Sequence, residues 1–206
     1  MTEQDSGPDG VPVVERFQPT NGRFSGFLGL GAAGVILVLA LVDGDAGRPL
    51  GIAILAVLGG LLVWAALLRP AMWATSRDLV MRGMFHTDAI PLAAIDKVVV
   101  TQVLTVSAGG KRYTSPTVGY TARQTMKARS RSRGATEKIA SEVDTHQLFV
   151  EARISHLAQD TRDRTGIKKG SPEQAALAAD VRRTYAWPEI VGVAVCTLAF
   201  LTWLAL

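Results

Sequence analysis

The sequence predicts an α+β membrane protein: a transmembrane helical hairpin, an inner domain of antiparallel β sheet followed by a helix, and a third transmembrane helix. Three observations carry this. Charged residues make up 19% of the 206 residues, below the quarter expected of a soluble chain, while 48% are apolar. Residues 24–42, 50–68 and 190–206 form three runs without a single Asp, Glu, Lys, Arg, His, Asn or Gln. Between the second and third runs lies a long polar stretch in which period-two alternation gives way to helical periodicity.

The first two runs each reach roughly 28 Å as helices, close to the ~30 Å hydrocarbon core. The breaker-rich loop Asp43-Gly44-Asp45-Ala46-Gly47-Arg48-Pro49 turns one back on the other. The third run is shorter, and Trp187 extends it into the interface. A cleaved signal peptide does not fit, because Glu3, Asp5, Asp9 and Glu15 precede the first run and no small-residue cleavage pattern follows it. Small residues at four-residue spacing, Ser25, Gly29 and Ala33 facing Ala56 and Gly60, suit close packing within the hairpin. They also fit the ordinary composition of an alanine-rich chain.

Basic residues beside the runs set the orientation. Arg16 and Arg23 precede the first helix, Arg69, Arg77 and Arg82 follow the second, and Arg182 and Arg183 precede the third, whereas the hairpin loop holds only Arg48. The expected topology is a multi-pass protein of the cell (plasma) membrane with the N-terminus and residues 70–186 cytoplasmic. Arg23, Arg69, Trp73, Arg182, Arg183 and Trp187 are the expected inner-boundary anchors and Trp203 the outer one. The expected divisions are a flexible tail at 1–22, the hairpin at 23–69, the sheet domain at 70–165 with a basic insertion at 119–135, a helical connector at 166–186 and the third helix at 187–206.

Within the inner domain, residues 78–84 are β-prone. Residues 95–106 place Val98, Val100, Leu104 and Val106 on one period-two face, and Gly109 and Gly110 suit a hairpin turn before a strand that Pro116 stops. With a short strand near 85–90, this makes a meander of at least four strands. Residues 144–164 read as a helix capped by Asp144. Val143, Gln147, Val150, Ile154 and Leu157 trace one stripe along it, with Phe149 beside it. Ser171-Pro172-Glu173-Gln174 marks another helix start, expected to run through Arg183 until Pro188 breaks it.

The apolar hairpin, then Trp73, then Asp78-Leu79-Val80-Met81-Arg82-Gly83, then Ala89-Ile90-Pro91-Leu92-Ala93-Ala94-Ile95-Asp96-Lys97-Val98, resembles bacterial membrane-anchored pleckstrin-homology-like (PH-like) domain proteins. Lys111-Arg112-Tyr113-Thr114-Ser115-Pro116-Thr117-Val118-Gly119 is similar to the continuation in actinobacterial members. The resemblance spans residues 24–165. It implies a PH-like antiparallel β sheet or partial barrel closed at one corner by a C-terminal helix. The expected helix lacks the Trp usual in eukaryotic members, and a long insertion separates it from the last strand.

Candidate chemistry is sparse. Arg123, Lys127, Arg129, Arg131 and Arg133 stand between Gly119 and Ala135 with no acidic residue. Near an anionic leaflet each would contribute about 1 kcal/mol of attraction, so the stretch reads as a clamp on lipid headgroups or as a solvated linker. Little aromatic interleaving accompanies it, which argues against nucleic acid. Around the first hairpin, Arg77, Arg82 and His86 are interrupted by Asp78 and Asp88, a weak basis for inositol-phosphate recognition. His86, His146 and His156 are the three histidines. The last two stand ten residues apart on one expected helix, too far to share a metal, so no metal or cofactor site is expected. The glycines Gly26, Gly29 and Gly31 lie in a membrane run, outside any dinucleotide-binding context. Cys196, the single cysteine, lies in the third run, where a thiolate is disfavoured. Intramembrane ionisable groups of the kind transporters use are missing from the runs. The expectation is a non-catalytic protein presenting a docking or scaffolding module to anionic lipids and an unidentified protein partner. The alternative is a structural subunit of a larger membrane complex.

Overall fold

The computed structural model describes residues 12–17, 23–42, 48–100, 103–115 and 137–205, without the side chains of residues 48 and 137–147. The architecture is α+β, with two antiparallel sheets and three helices long and apolar enough to cross a membrane. The chain divides into two compact units. A sheet unit comprises Met1–Thr20, Ala71–Arg82 and Thr87–Arg183, and a helical unit comprises Asn21–Pro70, Gly83–His86 and Thr184–Leu206.

The larger sheet has the order β1–β2–β3–β4–β8, formed by Val13–Phe17, Ala71–Thr75, Asp78–Arg82, His86–Pro91 and Arg182–Tyr185. Of its middle three strands, β3 and β4 are expected members of the meander, β2 is not, and the rest of the expected meander forms the second sheet. The edges of the larger sheet come from distant sequence: β1 precedes the first apolar helix, yet Phe17 pairs with Met72 and Arg16 with Trp73 of β2, which follows the second. The residues read as a flexible tail therefore contain a strand. Burial alternates along Val13–Phe17, but hydropathy does not, because Glu15 lies on the more buried side with Val13 and Phe17. The smaller sheet is β5 (Ile95–Val100), β6 (Leu104–Ala108) and β7 (Lys111–Ser115), with Val98 opposite Val106 and Val106 opposite Tyr113. The stretch 95–106 is thus a hairpin rather than one strand. Val98, Leu104 and Val106 still face the core, because Val98 pairs with Val106 and Val100 with Leu104, and directly opposed residues lie on one face of a sheet.

Met72, Leu79, Ile90, Leu92, Leu104 and Val106 are among the largest fully buried side chains, joined by Val150, Ile154 and Ala158 from helix α3 (Glu137–Thr165). The helix starts seven residues before Asp144, which therefore lies inside it and is not its N-cap. The stripe is confirmed at Val150, Ile154 and Leu157, and Ala158 extends it. Phe149 is exposed, and the side chains of Val143 and Gln147 lie outside the described set. At the β6–β7 turn Gly109 and Gly110 have φ of 54° and 76°, where a side chain is strained. A Cβ at Gly109 would also collide with Ala178.

Ser171 caps α4 (Pro172–Leu177), accepting from Gln174 N at 3.2 Å with Pro172 in the first turn. Gln174 does not return to the cap residue. Its Oε1 accepts from Gly170 N and its Nε2 donates to Ile95 O, so a buried side chain ties the turn to the sheet. The helix stops at Leu177, short of the expected Arg183. A 3-10 turn, Ala178–Asp180, follows, and then β8. Pairing with the edge of β4 outweighs the helical preference of the alanines upstream, a tertiary choice that local propensity does not contain.

The helical unit contains α1 (Arg23–Val42), α2 (Arg48–Val63), a π turn (Trp64–Leu68) and α5 (Trp187–Ala205). Small residues set the close contacts. A Cβ at Gly26 would lie 2.9 Å from Leu68, one at Gly29 3.1 Å from Val63, and one at Gly60 3.4 Å from Ala33. The first of these contacts is made at Gly26, not at the expected Ser25, which is exposed. A Cβ at Gly51 would come within 2.5 Å of the Trp203 ring. The hydroxyls of Thr197 and Thr202 bond back to the carbonyls of Val193 and Leu198, so these side chains present no unsatisfied donor.

Candidate functional site

The polar side chains of each unit are concentrated in a few clusters. In the helical unit the π turn lets Arg69 N donate to Trp64 O at 2.9 Å, five residues back, and the widened turn changes the direction in which Arg69 leaves the helix. Its side chain is 6% exposed. Nε lies 2.9 Å from Glu189 Oε1, itself 11% exposed, in the first turn of α5. Nη1 donates to the carbonyls of Gly83 and Met84, the latter at 3.1 Å, and Ala186 N donates to Phe85 O at 2.8 Å. Arg69 therefore fastens the end of α2, the start of α5 and the 83–86 turn to one another. A buried charge is tolerable only with such partners, and a carboxylate near a helix N-terminus is favourably placed.

In the sheet unit Arg183 holds Asp88 through two bonds, at 2.6 and 3.0 Å, and the Asp88 side chain is 5% exposed. Arg182 reaches Asp78 at 3.0 Å, and Arg153 of α3 reaches Glu15 of β1 at 2.6 Å. Asp96 Oδ2 accepts from Gly109 N at 3.0 Å, steadying the β6–β7 turn. These pairs fix strand edges and the helix. Among the described residues no buried side-chain nitrogen or oxygen lacks a hydrogen-bond partner, and no group of three His, Cys, Asp or Glu could hold a metal.

A cavity of about 530 Å³ lies at the end of α3, lined by Gln159, Arg162, Asp163, Gly166, Ile167, Lys168 and Lys169. Gly166, with φ of 71°, ends the helix. Gly166 N donates to Asp163 O at 3.4 Å and Ile167 N to Arg162 O at 3.0 Å, which satisfies carbonyls of the last turn. Arg162 is 9% exposed and donates through Nη1 to Ile95 O at 2.9 Å. Nothing in the sequence reading singled out this cluster. Its signal was Arg162-Asp163-Arg164-Thr165-Gly166-Ile167-Lys168-Lys169, basic residues concentrated at a helix end with a terminating glycine, which is equally the composition of an ordinary C-cap.

The expected site residues are not brought together. Arg123, Lys127, Arg129, Arg131 and Arg133 lie outside the described residues. Arg23 is exposed at the first position of α1, while Arg69, Arg182 and Arg183 are engaged as above. Trp73 is buried in β2 opposite Val80. Trp187 is 66% exposed, its ring centroid 6.4 Å from that of Tyr185, and Trp203 stacks on Phe200 with centroids 5.8 Å apart. The side chain of His146 is outside the described set. Comparisons with protein-family models, with curated proteins and with solved structures find no match.

Proposed function

We propose that this chain is a non-catalytic, multi-pass protein of the plasma membrane that presents a PH-like docking or scaffolding module at the inner leaflet. The observation that carries this reading is the pairing of β1 with β2. These strands flank two apolar helices, so an even number of crossings between them leaves both on one side, as the basic residues at the run ends also favour. The chain passes from the π turn to β2 through Arg69 and Pro70 alone, and from β8 to α5 through Ala186 alone. The PH-like reading draws support from the order of two three-stranded meanders, β2–β3–β4 and β5–β6–β7, followed by a helix whose apolar stripe joins their core. A docking role is favoured because the polar groups described above hold the fold, and because open strand edges and an electropositive connector are binding features.

Two measurements on the full chain test it. With Cys196→Ala as background, Asp45→Cys is expected to react with a membrane-impermeant maleimide on intact cells, and Lys111→Cys only after permeabilisation. Labelling of Lys111→Cys on intact cells would falsify the topology. Crosslinking from native membranes is expected to capture a partner. Replacing Arg123, Lys127, Arg129, Arg131 and Arg133 by Ala is expected to remove membrane-proximal crosslinks without unfolding the protein, and unchanged crosslinks refute a lipid clamp. A partner retained by the helices after removal of residues 71–183 favours the alternative, an assembly subunit.

A further inference from the structure

Among the buried ionic groups, Arg162 stands apart. Arg69 is balanced by Glu189 and Asp88 by Arg183, but Arg162 pairs with no carboxylate among the described residues. Its one bond is to the carbonyl of Ile95, shared with Gln174 Nε2 at 3.1 Å. That bond fixes the guanidinium without neutralising it. Among the described residues no buried side-chain nitrogen is left unsatisfied, so the remaining guanidinium N–H groups reach accessible space, and the cavity that Arg162 lines provides it.

An anion entering the cavity would gain directed, charge-assisted bonds from the guanidinium N–H groups that the Ile95 carbonyl leaves free. The cavity supplies the rest of an anion site. Lys168 and Lys169 line it with Arg162, three cations against the single carboxylate of Asp163. The nearby Arg164 is tied to Asp160 at 2.8 Å and is not required. The negative end of α3 would repel an anion if its carbonyls were open, but Gly166 N and Ile167 N bond two of them. Gln174 Oε1 accepts from Gly170 N at 2.6 Å, so both ends of the 166–170 turn are held and the lysines sit on a constrained loop.

We infer that this cavity, built on Arg162, Lys168 and Lys169, binds a phosphate monoester. A fixed guanidinium flanked by two mobile ammonium groups suits a compact, highly charged oxyanion, with the arginine orienting it through directed bonds and the lysines adding charge. The cavity, open on one side, leaves room beside the oxyanion for an organic group. That group is either the glycerol backbone of a lipid or that of a soluble ester. The inference is separate from the docking reading and involves none of the five connector residues.

The test uses the full chain in detergent, titrated with glycerol 3-phosphate, and the full chain in phosphatidylcholine bilayer discs with and without phosphatidate. Saturable one-to-one binding is expected in at least one arm. Binding of the soluble ester assigns a headgroup-sized ligand, and binding confined to phosphatidate discs assigns a lipid. Lys168→Ala with Lys169→Ala, both exposed, is expected to weaken binding at least tenfold. Arg162→Gln, which keeps a donor for Ile95 O, is expected to abolish it. Should Arg162→Gln fail to fold, the lysine variant decides alone. Alanine at the five connector positions is expected to leave this binding unchanged. No saturable binding in either arm, or binding that survives the lysine variant, overturns the inference whatever the outcome for topology or partner capture.

Discussion

In the helical unit the buried residues include Gly26, Ala40, Ala56 and Ala65, while Phe24, Phe27, Leu41 and Leu198 are more than 60% exposed. In the sheet unit Met72, Leu79, Ile90 and Leu104 are buried, and the outward positions of β7 are Lys111, Arg112 and Thr114. The two units sort side chains by opposite rules. Water drives large apolar groups inward, and the core of the sheet unit is what results. The three helices long and apolar enough to cross a membrane leave leucine exposed, and their contacts are made where small residues let backbones approach. Polar groups follow the same division. The sheet unit spreads ion pairs along its strand edges, whereas the helical unit places its one described buried pair, Arg69–Glu189, beyond the apolar runs.

This contrast can be broken at several points, each read by thermal or denaturant unfolding of the full chain in detergent. The largest effect is expected at the Arg69–Glu189 pair: Arg69→Met or Glu189→Met alone leaves a buried charge and should cost about 3–5 kcal/mol, while the double variant should recover most of it. A double-variant loss equal to the sum of the two single losses would show that the pair itself matters little. Leu79→Ala or Ile154→Ala should cost about 2–5 kcal/mol through cavity formation, with loss of amide protection in the sheet unit. In the helical unit, Gly51→Ala should be destabilising because of the Trp203 ring, while Gly31→Ala, with nothing within 4 Å, should be neutral or slightly favourable. Similar values for the two glycines would contradict packing by small residues. Ser171→Ala should cost about 1 kcal/mol through loss of the N-cap bond to Gln174. The exposed Arg164–Asp160 pair marks the small end, with Asp160→Asn expected to change stability by about 0.5 kcal/mol or less.

The three apolar helices, the strands around Leu79 and Val106, the Gly109–Gly110 turn and the Ser171 cap were legible because each is encoded in adjacent residues: hydropathy over one span, alternation over one strand, a glycine where φ is positive, a serine before a proline. The strands β1 and β8 were not, since an edge strand is defined by the neighbour it pairs with, and both neighbours lie far away in the chain. The same holds for the site. A count of charges finds the run from Arg123 to Arg133, but burial decides which arginine is unusual, and burial depends on α3, β5 and the 166–170 turn together.

Local chemistry, then, determined where apolar length, turns and caps lie, because propensity and hydropathy act within a few residues. Tertiary structure decided which strands close the larger sheet, that Arg69 and Arg183 serve carboxylates 120 and 95 residues away, and that Arg162 is buried without one among the described residues. Pairing and desolvation depend on distance in space, and position along the chain does not record that distance.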